Sequence, residues 1–166
     1  MKNKLPYEVT SKAIKGYSDS LTARSETNDC VVRAFASSFE VTYDESHKYV
    51  AEEFNRKPRK GTFFTASKLV KMFDKGTTFN GKKVHPLGEK KQSFATPYSL
   101  SYEVKVKGER KMRQMTVGTF IKNNPKGTFF ILVRQHAFTI KDGVVIGNYE
   151  DSVKTKRPMR AAFEIK

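Results

Sequence analysis

Apolar residues first recur at helical spacing in Cys30-Val31-Val32-Arg33-Ala34-Phe35-Ala36-Ser37-Ser38-Phe39. Val32, Phe35, Ala36 and Phe39 share one face, and Thr27-Asn28-Asp29 supplies N-cap chemistry just before them, which predicts a helix starting near residue 29. A second helix is expected from Asp44 as its cap, with His47, Val50 and Phe54 facing inward. A third is expected over residues 65–73 through Leu69, Val70 and Phe73. Residues 1–26 are polar and irregular, with room for a short helix at 11–17. Thr116 suits the cap of a short helix through Val117, Phe120 and Ile121, which ends before Asn124-Pro125-Lys126-Gly127.

The pattern changes period in two places. Ser99-Leu100-Ser101-Tyr102-Glu103-Val104-Lys105-Val106 alternates, and Lys107-Gly108-Glu109 can turn it back, so a basic β-hairpin is expected within 76–113. Thr128-Phe129-Phe130-Ile131-Leu132-Val133-Arg134 is the strongest strand signal. It reads on through Gln135-His136-Ala137-Phe138-Thr139-Ile140, turns at Lys141-Asp142-Gly143, and resumes as Val144-Val145-Ile146. Helices first and antiparallel strands after them predict an α+β domain. At 166 residues the chain suits a single domain over 1–166, with the basic ribbon as an insertion at about 76–113.

Charge adds a partner class. The net charge is +15, from 32 Lys and Arg against 17 Asp and Glu. From Lys75 to Arg113 there are ten basic residues and three acidic ones. Such an excess favours encounter with nucleic acid, acidic proteins or anionic surfaces. Tyr98, Tyr102 and Phe94 interleave with these charges, as in single-strand binders, although a solvated lysine-rich ribbon reads the same way. No apolar run approaches the roughly 20 residues that span a membrane. The N-terminus lacks the apolar core of a signal peptide, so cytoplasmic synthesis is expected.

The one cysteine rules out an intramolecular disulfide and a zinc site built on several thiolates. His47, His85 and His136 show no metal-ligand spacing. A lone cysteine is commonly a small packing residue. Cys30, however, falls in the first turn of its helix, where unpaired N–H groups and the helix dipole stabilise a thiolate. The same N–H groups suit a developing oxyanion. His136, on a strong strand with the parity of Phe138 and Ile140, is the candidate base, against a structural role as a half-buried histidine bonded to a carbonyl.

The next hairpin decides what orients that base. A two-residue Asp142-Gly143 turn pairs Lys141 with Val144 and puts Tyr149 and Asp151 on the face of His136. A three-residue loop with Gly143 left-handed pairs Ile140 with Val144 and sets His136 opposite Asn148. Opposed Cβ atoms lie about 4.5–5.5 Å apart, close enough for an amide oxygen to accept from the imidazole N–H. Asn148 is the favoured orienting residue and Asp151 the alternative.

Cysteine at a helix start, then a strand histidine, then Asn or Asp on the neighbouring strand resembles the papain-like cysteine peptidase order. Thr27-Asn28-Asp29-Cys30-Val31-Val32-Arg33-Ala34, with Gly127-Thr128-Phe129, His136-Ala137 and Asp142-Gly143-Val144-Val145, is most similar to small bacteriophage-encoded members. The Asp29-Cys30 pair is also similar to the bacteriocin-leader peptidase domains of bacterial exporters. The likeness rests on about residues 24–39 and 125–151. It implies a papain-like fold, cleavage of an amide bond in a protein or peptide through a thioester, and no metal or organic cofactor. It also implies a host-cytoplasmic or virion setting. The family commonly places an oxyanion-hole Gln six residues before the cysteine, where this chain has Arg24, which leaves Asn28 as the candidate amide. The same scaffold supports acyl transfer and deamidation. A catalytically inactive shell that contacts nucleic acid or acidic proteins, or serves in a virion, is the competing expectation.

Overall fold

The N-terminal residues that read as irregular form a strand and two short helices, β1 (Tyr7–Val9), α1 (Thr10–Ala13) and α2 (Leu21–Ser25). This computed structural model describes residues 4–62, 68, 69, 71, 78–90 and 98–166. The expected nucleophile helix is α3 (Cys30–Phe39), with Asp29 as N-cap residue and Glu40 closing it in the left-handed conformation. The next helix, α4 (Tyr43–Phe54), is capped by Thr42 rather than Asp44. Thr42 Oγ1 accepts from the Glu45 N–H at 3.3 Å, and Glu45 Oε2 accepts from the Thr42 N–H at 2.8 Å. This reciprocal box satisfies two end donors, which a lone cap at Asp44 cannot do. Of the helix expected over 65–73, only Lys68, Leu69 and Lys71 are described; they are helical, and Leu69 is fully buried. The remainder lies outside the described residues, as does Phe94.

The chain then makes β2 (Val84–Pro86), β3 (Glu89–Lys90), β4 (Tyr98–Ser99), β5 (Ser101–Val106) and β6 (Glu109–Gln114). After α5 (Val117–Asn123), which Thr116 caps by accepting from the Thr119 N–H, come β7 (Thr128–Val133), β8 (His136–Lys141) and β9 (Val144–Gly147). Helix α6 (Tyr149–Val153) and strand β10 (Met159–Ile165) complete the fold. The result is a mixed α+β architecture around a six-stranded sheet of order β1-β9-β8-β7-β10-β2.

Three expectations change here. The sheet is mixed, because edge strand β1 pairs parallel to β9 while its other pairings are antiparallel. The long strand expected from 128 to 140 folds back on itself, with Val133 pairing His136 across an Arg134-Gln135 turn whose Gln135 has φ of 57°. Finally, β10, unforeseen, inserts between β7 and β2.

Both faces of the sheet are covered. Phe130, Leu132 and Phe163 pack under Val32, Phe35 and Phe39 of α3 and Val50 and Phe54 of α4. Phe129, Ile131, Phe138, Ile140 and Ala162 face Val117 and Phe120 of α5 on the other side. That is why Phe129 through Val133 form an unbroken apolar run: a strand buried on both faces has no polar side to alternate with. The parity argument for His136 therefore has no outward face to oppose.

Candidate active site

Helix α3 and strand β8 are joined through a buried polar contact. Thr139 Oγ1 donates to the Ala34 carbonyl at 3.0 Å and lies 2.7 Å from Ser37 Oγ, and Thr139 is fully buried. This fastens the middle of α3 over the middle of β8, elements whose first residues are Cys30 and His136. Cys30, His136 and Ala137 line one pocket, and the imidazole and the Ala137 backbone N–H both act on the thiol.

The other side of the imidazole meets a carboxylate. His136 Nε2 lies 3.0 Å from Asp151 Oδ2, which leaves Nδ1 for the sulfur. Asp151, not Asn148, is the group that the structure brings to the histidine. The hairpin explains the difference. Lys141 pairs with Val144, and Asp142 and Gly143 both have positive φ, 48° and 78°, so the turn has two residues and not three. That register takes Asn148 off the position opposite His136. The chain then leaves the sheet into α6, whose first turn swings Asp151 back under the imidazole. Asn148 ends with its side-chain oxygen 3.4 Å from Arg33 Nη1.

Asp151 is held from three directions. Besides His136, its Oδ2 accepts from the Asn148 N–H at 2.9 Å, and its Oδ1 accepts from Arg157 Nη1 at 3.0 Å. Its side chain is 2% exposed. Gly147 makes room for it, since a Cβ there would stand 2.7 Å from Asp151 Oδ2 and 3.3 Å from Phe138 Cβ. Neither Gly147 nor Arg157 stands out in the sequence. Arg157 reads as one more charge in a basic stretch, and the need for glycine at 147 comes from a neighbour four residues on.

The charges follow from these contacts. Burial pushes the Cys30 thiol up, but the His136 bond, the Ala137 N–H and the charges of His136 and Arg33 outweigh it and hold the thiol below its ordinary value. Burial pulls His136 down, yet the bonds to Asp151 and Cys30 raise it to about 9. Burial pushes Asp151 up, and the His136 bond and charge, the Asn148 N–H and Arg157 hold it below its usual value. The set favours a thiolate beside an imidazolium.

The loop that delivers Cys30 is clamped from behind. Glu26 Oε2 accepts from Arg56 Nη2 at 2.7 Å and from the Arg59 N–H at 2.8 Å, and Glu26 Oε1 lies 3.0 Å from His47 Nε2. The Arg56 side chain is wholly buried. His47 thus belongs to this clamp and not to the apolar core. Asn28 has φ of 54°, which turns the chain into α3. Its side-chain amide donates to the Arg59 carbonyl at 3.4 Å, so the structure does not direct it at the thiol as an oxyanion donor. Arg24 is exposed and donates to the Ser18 carbonyl. The Cys30 and Val31 N–H groups, which precede the first intrahelical bond from the Arg33 N–H to the Asp29 carbonyl, are the better placed donors.

Asp29, buried, accepts from the Tyr43 hydroxyl at 2.7 Å and pairs with Arg33 at 2.7 Å, so it braces α3 and does not touch the imidazole. Beside the thiol, a cleft of about 360 Å³ is lined by Val31, Thr62, Leu132, Val133, Gln135 and Ala137. The Thr62 hydroxyl there is buried without a hydrogen-bond partner among the described residues. Among those residues no group of three His, Cys, Asp or Glu side chains is placed to hold a metal ion, and no helix is long and apolar enough to cross a membrane. No family model, curated protein or solved structure matches the chain.

Proposed function

We propose that this protein is a thiol-dependent amide hydrolase of papain-like type, with Cys30 as nucleophile, His136 as acid and base, and Asp151 as the residue that orients and charges the imidazole. One observation carries the reading: a thiol at the start of a helix shares a pocket with an imidazole that is bonded on its other side to a buried carboxylate, beside an open cleft. A structural cysteine needs none of these partners.

In the proposed reaction the Cys30 thiolate attacks the substrate carbonyl carbon, and its π electrons move to oxygen. The backbone N–H groups of Cys30 and Val31 face that developing charge. The C–N bond then breaks as the His136 imidazolium gives its proton to the leaving amine, which leaves a thioester on Sγ. Neutral His136 next takes a proton from water as the water oxygen attacks the thioester carbonyl; the C–S bond then breaks, the carboxylic acid product leaves, and Cys30 is restored as a thiolate beside the imidazolium. An amine in place of water gives acyl transfer by the same steps. The apolar walls from Val31, Leu132, Val133 and Ala137, with the Thr62 hydroxyl among them, suit an extended peptide.

The test is alkylation by iodoacetamide at pH 7. Cys30 is expected to react much faster than a free thiol, and His136→Ala to abolish the advantage. Slow labelling that ignores His136 defeats the proposal. Thioester capture from lysate, with Cys30→Ala as control, then identifies the substrate.

A further inference from the structure

The hairpin of β5 and β6 contributes little to the core. Its root is anchored, since Leu100 and Met115 are buried, Tyr102 packs beside them, and the Met115 N–H donates to the Leu100 carbonyl at 2.9 Å. Beyond that root the two strands pair, among the described residues, only with each other, and every residue of β6 is exposed. A lone two-stranded ribbon is marginal by itself. This one also carries five Lys and Arg against two Glu over residues 101–114, so it repels itself without a counter-charge.

The register decides where those charges point. Lys105 stands opposite Arg110 on one face, while Lys111 and Arg113 share the other face with Val104 and Tyr102, and Lys107 sits at the tip with φ of 51°. The two glutamates make only long, exposed pairs, Glu103 with Arg110 at 3.6 Å and Glu109 with Lys111 at 3.4 Å, which contribute little. Lys105, Lys107 and Arg113 have no ion-pair partner among the described residues. Of the apolar side chains on the ribbon, Met112 is the one well exposed, so the surface lacks the aromatic anchors of a protein interface.

We infer that this ribbon binds the backbone of double-stranded DNA, independently of the Cys30 site. Six residues per strand at about 3.4 Å each make a ribbon about 20 Å long. A two-stranded ribbon fits the B-form major groove, which is about 12 Å wide and walled on both sides by phosphates. Cations on both faces and at the tip meet two walls, whereas a flat acidic surface engages one face only. A-form RNA has a major groove too narrow for this entry, which selects DNA.

Fluorescence anisotropy of the full chain on a 20-base-pair DNA duplex, across roughly 50–200 mM NaCl, tests the inference. Wild type should bind without sequence preference and weaken steeply with salt. The triple variant Arg110→Ser, Lys111→Ser, Arg113→Ser should lose about tenfold in affinity per phosphate contact near 0.1 M salt, and the log–log salt slope should fall by about 0.9 for each. Lys107→Ser alone, at a tip with no packing role, should lower the slope by one such step. Arg110→Lys with Arg113→Lys should keep it. Cys30 alkylation should be unchanged in all of them, which separates this inference from the hydrolase reading. Salt slopes equal in wild type and both serine variants overturn it, as does tighter binding to an RNA duplex, a polyglutamate peptide or phosphatidylserine vesicles.

Discussion

Asp151 Oδ2 lies 3.0 Å from His136 Nε2, and the same oxygen accepts from the Asn148 backbone N–H at 2.9 Å. One atom thus ends the first turn of α6 and orients the imidazole. The position of the charge is set by helix geometry, and the histidine inherits it. Burial opposes its charge, but the His136 bond and charge, the Asn148 N–H and, least, Arg157 on Oδ1 hold the carboxylate below its usual value.

The pH dependence follows from the directions of the shifts. Because the thiol is held below its ordinary value, alkylation of Cys30 should persist at pH values where a free thiol is protonated, and should fall only as pH drops through that lowered value. His136 stays protonated up to about 9. Amide cleavage, which needs that proton for the leaving amine, should therefore decline as pH rises through about 9, while alkylation should not. Asp151→Ala removes the contact that raises the imidazole, so the alkaline limb should move to lower pH. Parallel profiles of the two reactions check this.

Replacing the two candidate orienting residues separates them. Asp151→Ala is expected to lower amide-cleaving kcat by roughly 10²–10⁴, the scale of a lost base or its orientation. Asp151→Asn should fall less, since an amide oxygen still accepts from the ring. Asn148→Ala should cost less than either, because its side chain meets Arg33 and not His136. Steady-state kinetics on one peptide rank the three.

Gly147→Ala should behave like a damaged Asp151. Its Cβ would press on Asp151 Oδ2 from 2.7 Å, and the carboxylate must move away from the imidazole. The expected readout is a His136 titration, followed by NMR, that moves below its wild-type value of about 9. An unmoved titration would show that α6 yields without disturbing the pair.

Thr139→Val keeps the shape at the seam between α3 and β8 but removes the donor to Ala34 and the partner of Ser37. Unpaired buried groups cost about 1–3 kcal/mol. At about 2–4 °C per kcal/mol for a chain of this size, the melting temperature should drop by roughly 2–12 °C. Calorimetry measures it.

Glu26 links stability to acid. Burial pushes its carboxyl up, but Arg56, the Arg59 N–H and His47 hold it at about 2. A depressed carboxylate stabilises the fold fully above its unfolded value near 4.5, and that contribution disappears as pH falls toward about 2. Glu26→Gln should flatten this acid limb. It should also destabilise the neutral protein by about 3–5 kcal/mol, because the wholly buried Arg56 loses its counter-charge. Denaturant midpoints between pH 7 and 2 provide the comparison.

Much of this was legible in the order of residues. The apolar stripe Val32, Phe35, Ala36 and Phe39 determined α3, and with it the helix-start position of Cys30. Local turn chemistry determined the Lys107-Gly108 ribbon and the Thr116 cap. The sequence also named Cys30 and His136 and reduced their orienting partner to two residues. Local signals could not choose between those two, because Asp142-Gly143 suits both turn lengths until the strands on either side are packed. Nor could they show that the apolar run from 128 to 140 folds back at Gln135, since a strand buried on both faces loses the alternation that reveals its ends. Tertiary structure decided the rest. Arg157, Gly147, Thr139 and the Glu26–Arg56 clamp matter through neighbours that come together only when α3 lies across the sheet and α6 turns back beneath it. Periodicity records which face of an element is buried, but not what another element brings to it.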